Sequence, residues 1–275
     1  MAITTTQQIT GYYNRYTTVE VTFTKDVIRA LHLLPKQIAL KCLGSQWPCV
    51  IYSSSMSQAK VIANLNSAFH ETAKQAKNMV SLRFSYAVSD KADPVSFFVT
   101  AKITGIKPYS KENNNLSFIA LSFTQQPPDD LILMLGELLE VGRTFQKRKE
   151  ERIIVNTDAM RKMGIKSKDV TAHVQGVPRK CILRDVSFSG AKILMLGVAK
   201  FLQDKPVSIR IFCRDPEETI SLEGKVVRTE LVEGRKDIAA VAISFPEDKI
   251  PANYKLRVHN YLKNIKHKEP PTSEN

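Results

Sequence analysis

The feature that most constrains this chain is a rhythm of short β-forming runs, each broken by turn residues after a few positions. TTVEVTFT (17–24), KQIALKCL (36–43), WPCVIYSS (47–54), SLRFSYAV (81–88), VSFFVTAKITGI (95–106) and LSFIALSFT (116–124) are rich in Val, Ile, Phe, Tyr and Thr. Several alternate apolar and polar residues, as strands with one buried face do. KDVIRALHLL (25–34) and NSAFHETAKQAK (66–77) read as helices, the second starting after Asn66 or Ser67 as a cap, and KENNN (111–115) reads as a hairpin loop. These elements predict a small β-barrel or sandwich.

PPDD (127–130) then opens a helix, with Pro in the first turn and acids at the positive end of the dipole. Leu131, Leu135, Leu138, Leu139 and Val141 give it an apolar face, and the charged run RTFQKRKEER (143–152) follows. The second half repeats the style. RIIVN (152–156), VTAHVQG (170–176), VPRKCILRD (177–185), AKILMLG (191–197), PVSIRIFC (206–213), TISLEGKVVRTE (219–230) and KDIAAVAISF (236–245) read as strands, and TDAMRKMG (157–164) as a helical turn capped by Thr157. PANYKLRVHNYLKNIKHK (251–268) is a C-terminal helix with Tyr254, Val258, Tyr261, Leu262 and Ile265 on one face, and EPPTSEN is a disordered tail. The expected class is mainly β: two small antiparallel barrels in tandem. Residues 1–141 form the first, 142–152 an interdomain segment, 153–268 the second and 269–275 the tail. No residue-level repeat between the halves stands out.

A chain of 275 residues, 43% hydrophobic and 24% charged, is long enough for two globular domains that need neither disulfide nor metal. No stretch approaches the ~20 apolar residues that span a bilayer. MAITTTQQITGYY lacks the basic and apolar regions of a secretory signal, so the expected location is cytoplasmic and the expected state monomeric. Cys42, Cys49, Cys181 and Cys213 include no CxxC pair and no His at ligand spacing. Cys42 and Cys49 flank LGSQWP and a disulfide across that hairpin is conceivable, but reduced core cysteines are the favoured reading. The net charge of +13 is uneven, +3 over residues 1–140 and +10 over 141–275, which points to an anionic partner.

Catalysis finds no support: GxSxG, HExxH, Walker A and GxGxxG are all missing, and the five histidines are scattered. No enzyme activity, metal or cofactor is expected. What stands out is Arg148 and Arg152 in RKEER, followed by Asp185, Ser187 and Gly190 in DVSFSG. An Arg fork takes the O6 and N7 edge of guanine, binds phosphate bidentately, or stacks on a base. A carboxylate accepts from guanine's N–H donors, a serine adds a small donor and acceptor, and a glycine allows close backbone approach or positive φ. A ligand having both guanines and phosphates would use every one of these groups.

RxxxR followed some 30 residues later by DxSxxG closely resembles the paired motif of the PilZ family, receptors for cyclic di-GMP. The resemblance covers about residues 143–268 and all five defining positions, and is greatest to the two-domain PilZ proteins of spirochaetes. It implies a six-stranded barrel with a C-terminal helix, and arginines on a flexible lead-in that wrap the nucleotide against Asp185, Ser187 and Gly190. Lys147, and Lys149 beside it, join the implied ligand set. In the family the position of Lys147 influences whether one or two nucleotides bind, and stoichiometry stays open. The first half has neither motif and is expected to serve a protein partner instead, the nucleotide changing the interdomain arrangement to signal in motility, virulence or gene regulation. Phe188 and Ser189 are left to the fold.

Each half of the motif has a plain alternative. QKRKEER alone reads as a solvated helix end, and DVSFSG alone as a hairpin with local turn bonds. Their conjunction, in order and inside a β pattern, decides for a nucleotide site. A second reading is a basic nucleic-acid-binding protein, in which Lys255, Arg257, Lys263, Lys266 and Lys268 join Lys225, Arg228 and Arg235 on a phosphate-binding surface.

Overall fold

A computed structural model describes residues 6–88, 93–109, 116–196, 201–232 and 234–266, without the side chains of Lys236 and Lys266. The expected KENNN loop, His267, Lys268 and the tail from 269 lie outside the described residues. The chain divides into two compact units, Met1–Glu140 and Val141–Asn275.

In the first unit, helix α1 (Thr6–Tyr16) leads to β1 (Val21–Thr22) and α2 (Lys25–Ala30). Then follow β2 (Ala39–Cys42), β3 (Ser45–Ser54), β4 (Gln58–Asn64), α3 (Ser67–Gln75), β5 (Met79–Tyr86), β6 (Val95–Pro108) and β7 (Leu116–Phe123). Six strands close in the order β3–β2–β5–β6–β7–β4, β4 returning to β3, with β1 added along β3. Closure pairs each of the six barrel strands with a neighbour on both sides, which leaves the short β1 as the edge strand among the described residues. Inside sit Leu40, Ile51, Val61, Leu82, Phe84, Val99, Ile119 and Leu121, sealed by Phe69 of α3 and by Leu131, Ile132 and Leu135.

Those three leucine and isoleucine side chains belong to α4 (Asp129–Arg148), whose last turns carry Val141 and Phe145 into the second core. The expected segment 142–152 is therefore helical through Arg148. The second unit continues with β8 (Ile153–Ile154), α5 (Thr157–Met163), β9 (Asp169–Val174), β10 (Val177–Val186) and β11 (Gly190–Leu196). It ends with β12 (Pro206–Cys213), β13 (Glu218–Val232), β14 (Arg235–Ser244) and α6 (Ala252–Lys266). Again six strands close, β10–β9–β12–β13–β14–β11 and back to β10, with β8 laid along β10.

The two barrels correspond pairing for pairing at a constant offset of 132 positions (185 − 53) from the end of the lead-in helix through the fourth strand. Each has a two-residue hairpin with both φ angles positive, Leu43–Gly44 and Gln175–Gly176, so the first turn is tighter than LGSQWP suggested. Each has a short capped helix, Thr24 accepting from the N–H of Val27 and Asn156 from that of Ala159. His32 (φ 52°) and Gly164 (φ 65°) occupy matching left-handed positions where those helices stop, which ends α2 earlier than its apolar run implied. Ser55 N–H donates to the Gln58 carbonyl and Ser187 N–H to the Gly190 carbonyl, both at 2.8 Å. The residue-level repeat is present after all. Its few identities are scattered: Gly44/Gly176, Ser55/Ser187 and Ser57/Ser189 in turns, Cys49/Cys181 and Lys60/Lys192 in strands, and Asp26/Asp158 and Arg29/Arg161 in the short helices. All four cysteines are free and buried; Cys42 lies opposite Ser45 rather than Cys49, and burial pushes the Cys49 thiol up to about 12.

Candidate functional site

β10 and β11 run in register up to Leu183, then shift by one residue before Asp185. Such a bulge bends a strand and re-aims the side chain beyond it. β8 is added at the same place, Ile154 opposite Asp185 and Ile153 opposite Val186. Arg152, immediately before β8, is thereby set beside Asp185, and its Nη1 donates to Asp185 Oδ1 at 2.8 Å. The carboxylate is mostly covered while the arginine is half exposed, so the pair offers an oriented guanidinium to solvent.

The loop after Val186 is fixed from beneath. Phe188 is fully buried and meets Phe145 edge-on at 5.4 Å, which ties it to the last turns of α4. The Tyr254 hydroxyl of α6 donates to the Ser187 carbonyl at 2.6 Å, and burial, with the nearby Asp185 charge, raises the Tyr254 hydroxyl well above its ordinary pKa. Ser187 is itself buried, its hydroxyl on the Gly190 carbonyl at 3.4 Å. Gly190 is required by the neighbouring strand rather than by positive φ: a Cβ there would lie 2.4 Å from the Ile243 carbonyl oxygen. Ser189 does more than complete the fold. Its hydroxyl reaches the Lys149 carbonyl at 3.2 Å and Glu150 Oε1 at 2.8 Å, so the loop grips the segment between the two arginines. Sequence spacing did not show that contact, because it spans 40 residues.

The other expected residues are placed differently. Arg148 donates through Nη2 to Glu151 Oε1 at 2.7 Å, pairs through Nε with Glu151 Oε2, and donates through Nη1 to the Leu262 carbonyl at 3.2 Å. The lead-in is thus held in the free protein, where the family resemblance implied a flexible segment. Lys149 lies 3.6 Å from Glu247 and 5.6 Å above the Phe145 ring, and Lys147 is exposed. Of the basic residues considered for a nucleic-acid surface, four form ion pairs: Lys225 with Asp204, Arg228 with Glu230, Arg235 with Asp237, and Arg257 with Glu218. Lys255 donates to the Glu247 carbonyl. Among the described residues no three His, Cys, Asp or Glu side chains form a metal cluster, and no helix is long and apolar enough to cross a membrane.

Residues 7–142 match the PilZN3 domain and residues 146–262 the PilZ domain. A cyclic di-GMP binding protein of Treponema denticola is 42% identical over 262 residues, covering 95% of this chain and 83% of the relative. The chain belongs to the PilZ family. Among solved structures, the PlzA protein of Borreliella burgdorferi in complex with c-di-GMP is 26% identical, covering 93% of this chain and 98% of that one, with a TM-score of 0.42. The two PilZ-type assignments fall on the two barrels described above, and only the second barrel carries RxxxR and DxSxxG.

Proposed function

We propose that this PilZ protein is a receptor for cyclic di-GMP, without enzymatic activity, that takes the nucleotide on the outer face of its second barrel. The observation that carries the reading is the Arg152–Asp185 pair, which joins the second arginine of RxxxR to the first residue of DxSxxG across 33 positions. Asp185 orients the guanidinium, whose remaining N–H donors face solvent and fit a guanine edge or a phosphate. Charge-assisted hydrogen bonds contribute on the order of 1.5–3 kcal/mol each, and three or four suffice for the ~8 kcal/mol of micromolar binding. The reading is supported too by the relative from Treponema denticola, whose name states the same ligand. Lys225, Arg228, Arg235 and Arg257 are paired with acids, and no observation among the described residues favours the nucleic-acid alternative.

The protein then acts through a partner, the first barrel being the docking domain, in the cytoplasm and as a monomer. Nucleotide binding moves the lead-in segment from one held arrangement to another and with it the direction of the chain that precedes it; a ligand shifts such an equilibrium only by its differential affinity for the two arrangements. Calorimetric titration with cyclic di-GMP tests the reading. Wild-type protein should bind, and Arg148→Ala and Arg152→Ala should each lose roughly tenfold or more, about 1.4 kcal/mol. Unchanged affinity in both variants would sink the site.

A further inference from the structure

Arg148 commits all three of its guanidinium nitrogens inside the protein. A guanidinium has two edges able to make paired hydrogen bonds, one formed by Nε and one Nη, the other by the two Nη groups. Glu151 takes the first edge with both carboxylate oxygens. The Leu262 carbonyl takes Nη1 on the second. Leu262 lies four residues before the last described residue of α6, toward the negative end of the helix dipole, which favours a cation. The other end of the same helix is tied to the motif loop by a different bond, the buried Tyr254 hydroxyl on the Ser187 carbonyl. One end of α6 is thus fixed by a buried tyrosine and the other by an arginine whose side chain is 20% exposed.

We infer that Arg148 is a two-position switch: Glu151 is an internal competitor for the nucleotide, and displacing it releases the C-terminal part of α6 from the lead-in. This rests on the reading of the site as a cyclic di-GMP receptor and adds to it a regulation. The nucleotide's phosphates cannot sit against the Glu151 carboxylate, since like charges at contact repel. The guanidinium must therefore leave Glu151. It is a rigid plane with Glu151 on one edge and Leu262 on the other, so swinging off the first contact breaks the second. Occupancy at the barrel face is read out in the C-terminal part of α6, while Tyr254 keeps the start of that helix in place.

The test is paired. Cyclic di-GMP is titrated into wild type, Glu151→Gln and Glu151→Ala by calorimetry, and amide exchange of residues 262–266 is followed with and without nucleotide. Removing the competitor should tighten binding about fivefold, the factor equivalent to one exposed ion pair at ~1 kcal/mol. In wild type the nucleotide should speed exchange at 262–266 several-fold and leave the amides around Tyr254 protected. Exchange of the strand amides in each variant checks that it is folded. Binding to wild type with neither Glu151 variant tightened, or with 262–266 unchanged, overturns the switch and leaves the receptor reading standing. No binding to wild type overturns both.

Discussion

At Ser53 in the first barrel and Asp185 in the second, the same strand shifts register at the same bulge and faces the same neighbouring lead-in residue. In the second barrel that residue is Arg152, and the pair leaves donors free for a ligand. In the first it is Glu20, which accepts from Ser53 and from Lys60 at 2.9 and 3.2 Å, so a carboxylate of the chain lies where the second barrel presents a cation. Tyr16 stands where Arg148 does, and its hydroxyl donates to Glu140 at 2.7 Å. Gln58 stands for Gly190. The backbone of the site is common to both barrels. What separates the proposed receptor site from its structural copy is the charge at two lead-in positions, two arginines in the second barrel against a neutral tyrosine and a glutamate in the first.

The largest difference expected between the copies is in stability. Met56 and Phe188 are the matching plugs beneath the loop, both fully buried. Phe188→Ala should cost ~3–5 kcal/mol, and Met56→Ala roughly 2–5. Phe188 also packs edge-on against Phe145, a pair worth ~0.5–1.5 kcal/mol beyond burial, so denaturant unfolding should rank it the costlier. If Met56→Ala proves equal or worse, the second loop has no special hold on its lead-in helix.

Next comes function. Arg152→Glu combined with Asp185→Ser gives the second barrel the residues of the first, and cyclic di-GMP affinity should fall roughly a hundredfold or more, about 2.7 kcal/mol. Glu20→Ala in the first barrel should leave calorimetric affinity within about twofold, because nothing there touches the proposed ligand. Retained binding by the double variant would mean the two barrels differ in some way other than this charge pair.

The β rhythm, the helix after PPDD and the motif pair were legible because periodicity and spacing are local properties. What failed to show was set by contacts distant in sequence. α1 has no apolar stripe strong enough to announce itself; only Tyr12 is buried, against Gly136. TTVEVTFT keeps just two residues in a strand, since β1 meets β3 only at Ser53 and Ser54. α4 runs on through the charged stretch because Val141 and Phe145, four apart, both find the second core. The repeat escaped notice since its shared residues are scarce in number and ordinary in kind. Asp185 and Arg152 were read from spacing, but the roles of Ser189, Glu151, Tyr254 and Leu262 depend on partners 3 to 114 residues away.

Of smaller effect is Tyr254→Phe, which removes the hydroxyl from the Ser187 carbonyl without changing the ring. A net loss of ~1 kcal/mol is expected in urea unfolding, with a modest weakening of nucleotide binding as the loop loosens. A variant as stable as wild type would show that Phe188 alone positions the loop.

The smallest effect tests the first barrel's internal carboxylate. The Ser53 hydroxyl, and after it the Lys60 ammonium, hold the Glu20 carboxyl below its ordinary range. A folded-state value lower than the unfolded one means the charged form is favoured by folding. Its contribution is therefore complete above the ordinary glutamate value of ~4.3 and is lost as pH falls through the folded value. Glu20 is about a third exposed, so solvent screening keeps the increment below ~1 kcal/mol. The single tryptophan, Trp47, stacks edge-on against Phe69 in the first barrel and reports on that unit alone. Urea midpoints followed by its fluorescence should drop more steeply between pH ~5 and ~3 in wild type than in Glu20→Gln. Equal slopes would mean the carboxylate is a bystander, and the first barrel would then owe its closed site to the loss of the arginine rather than to the acid that replaced it.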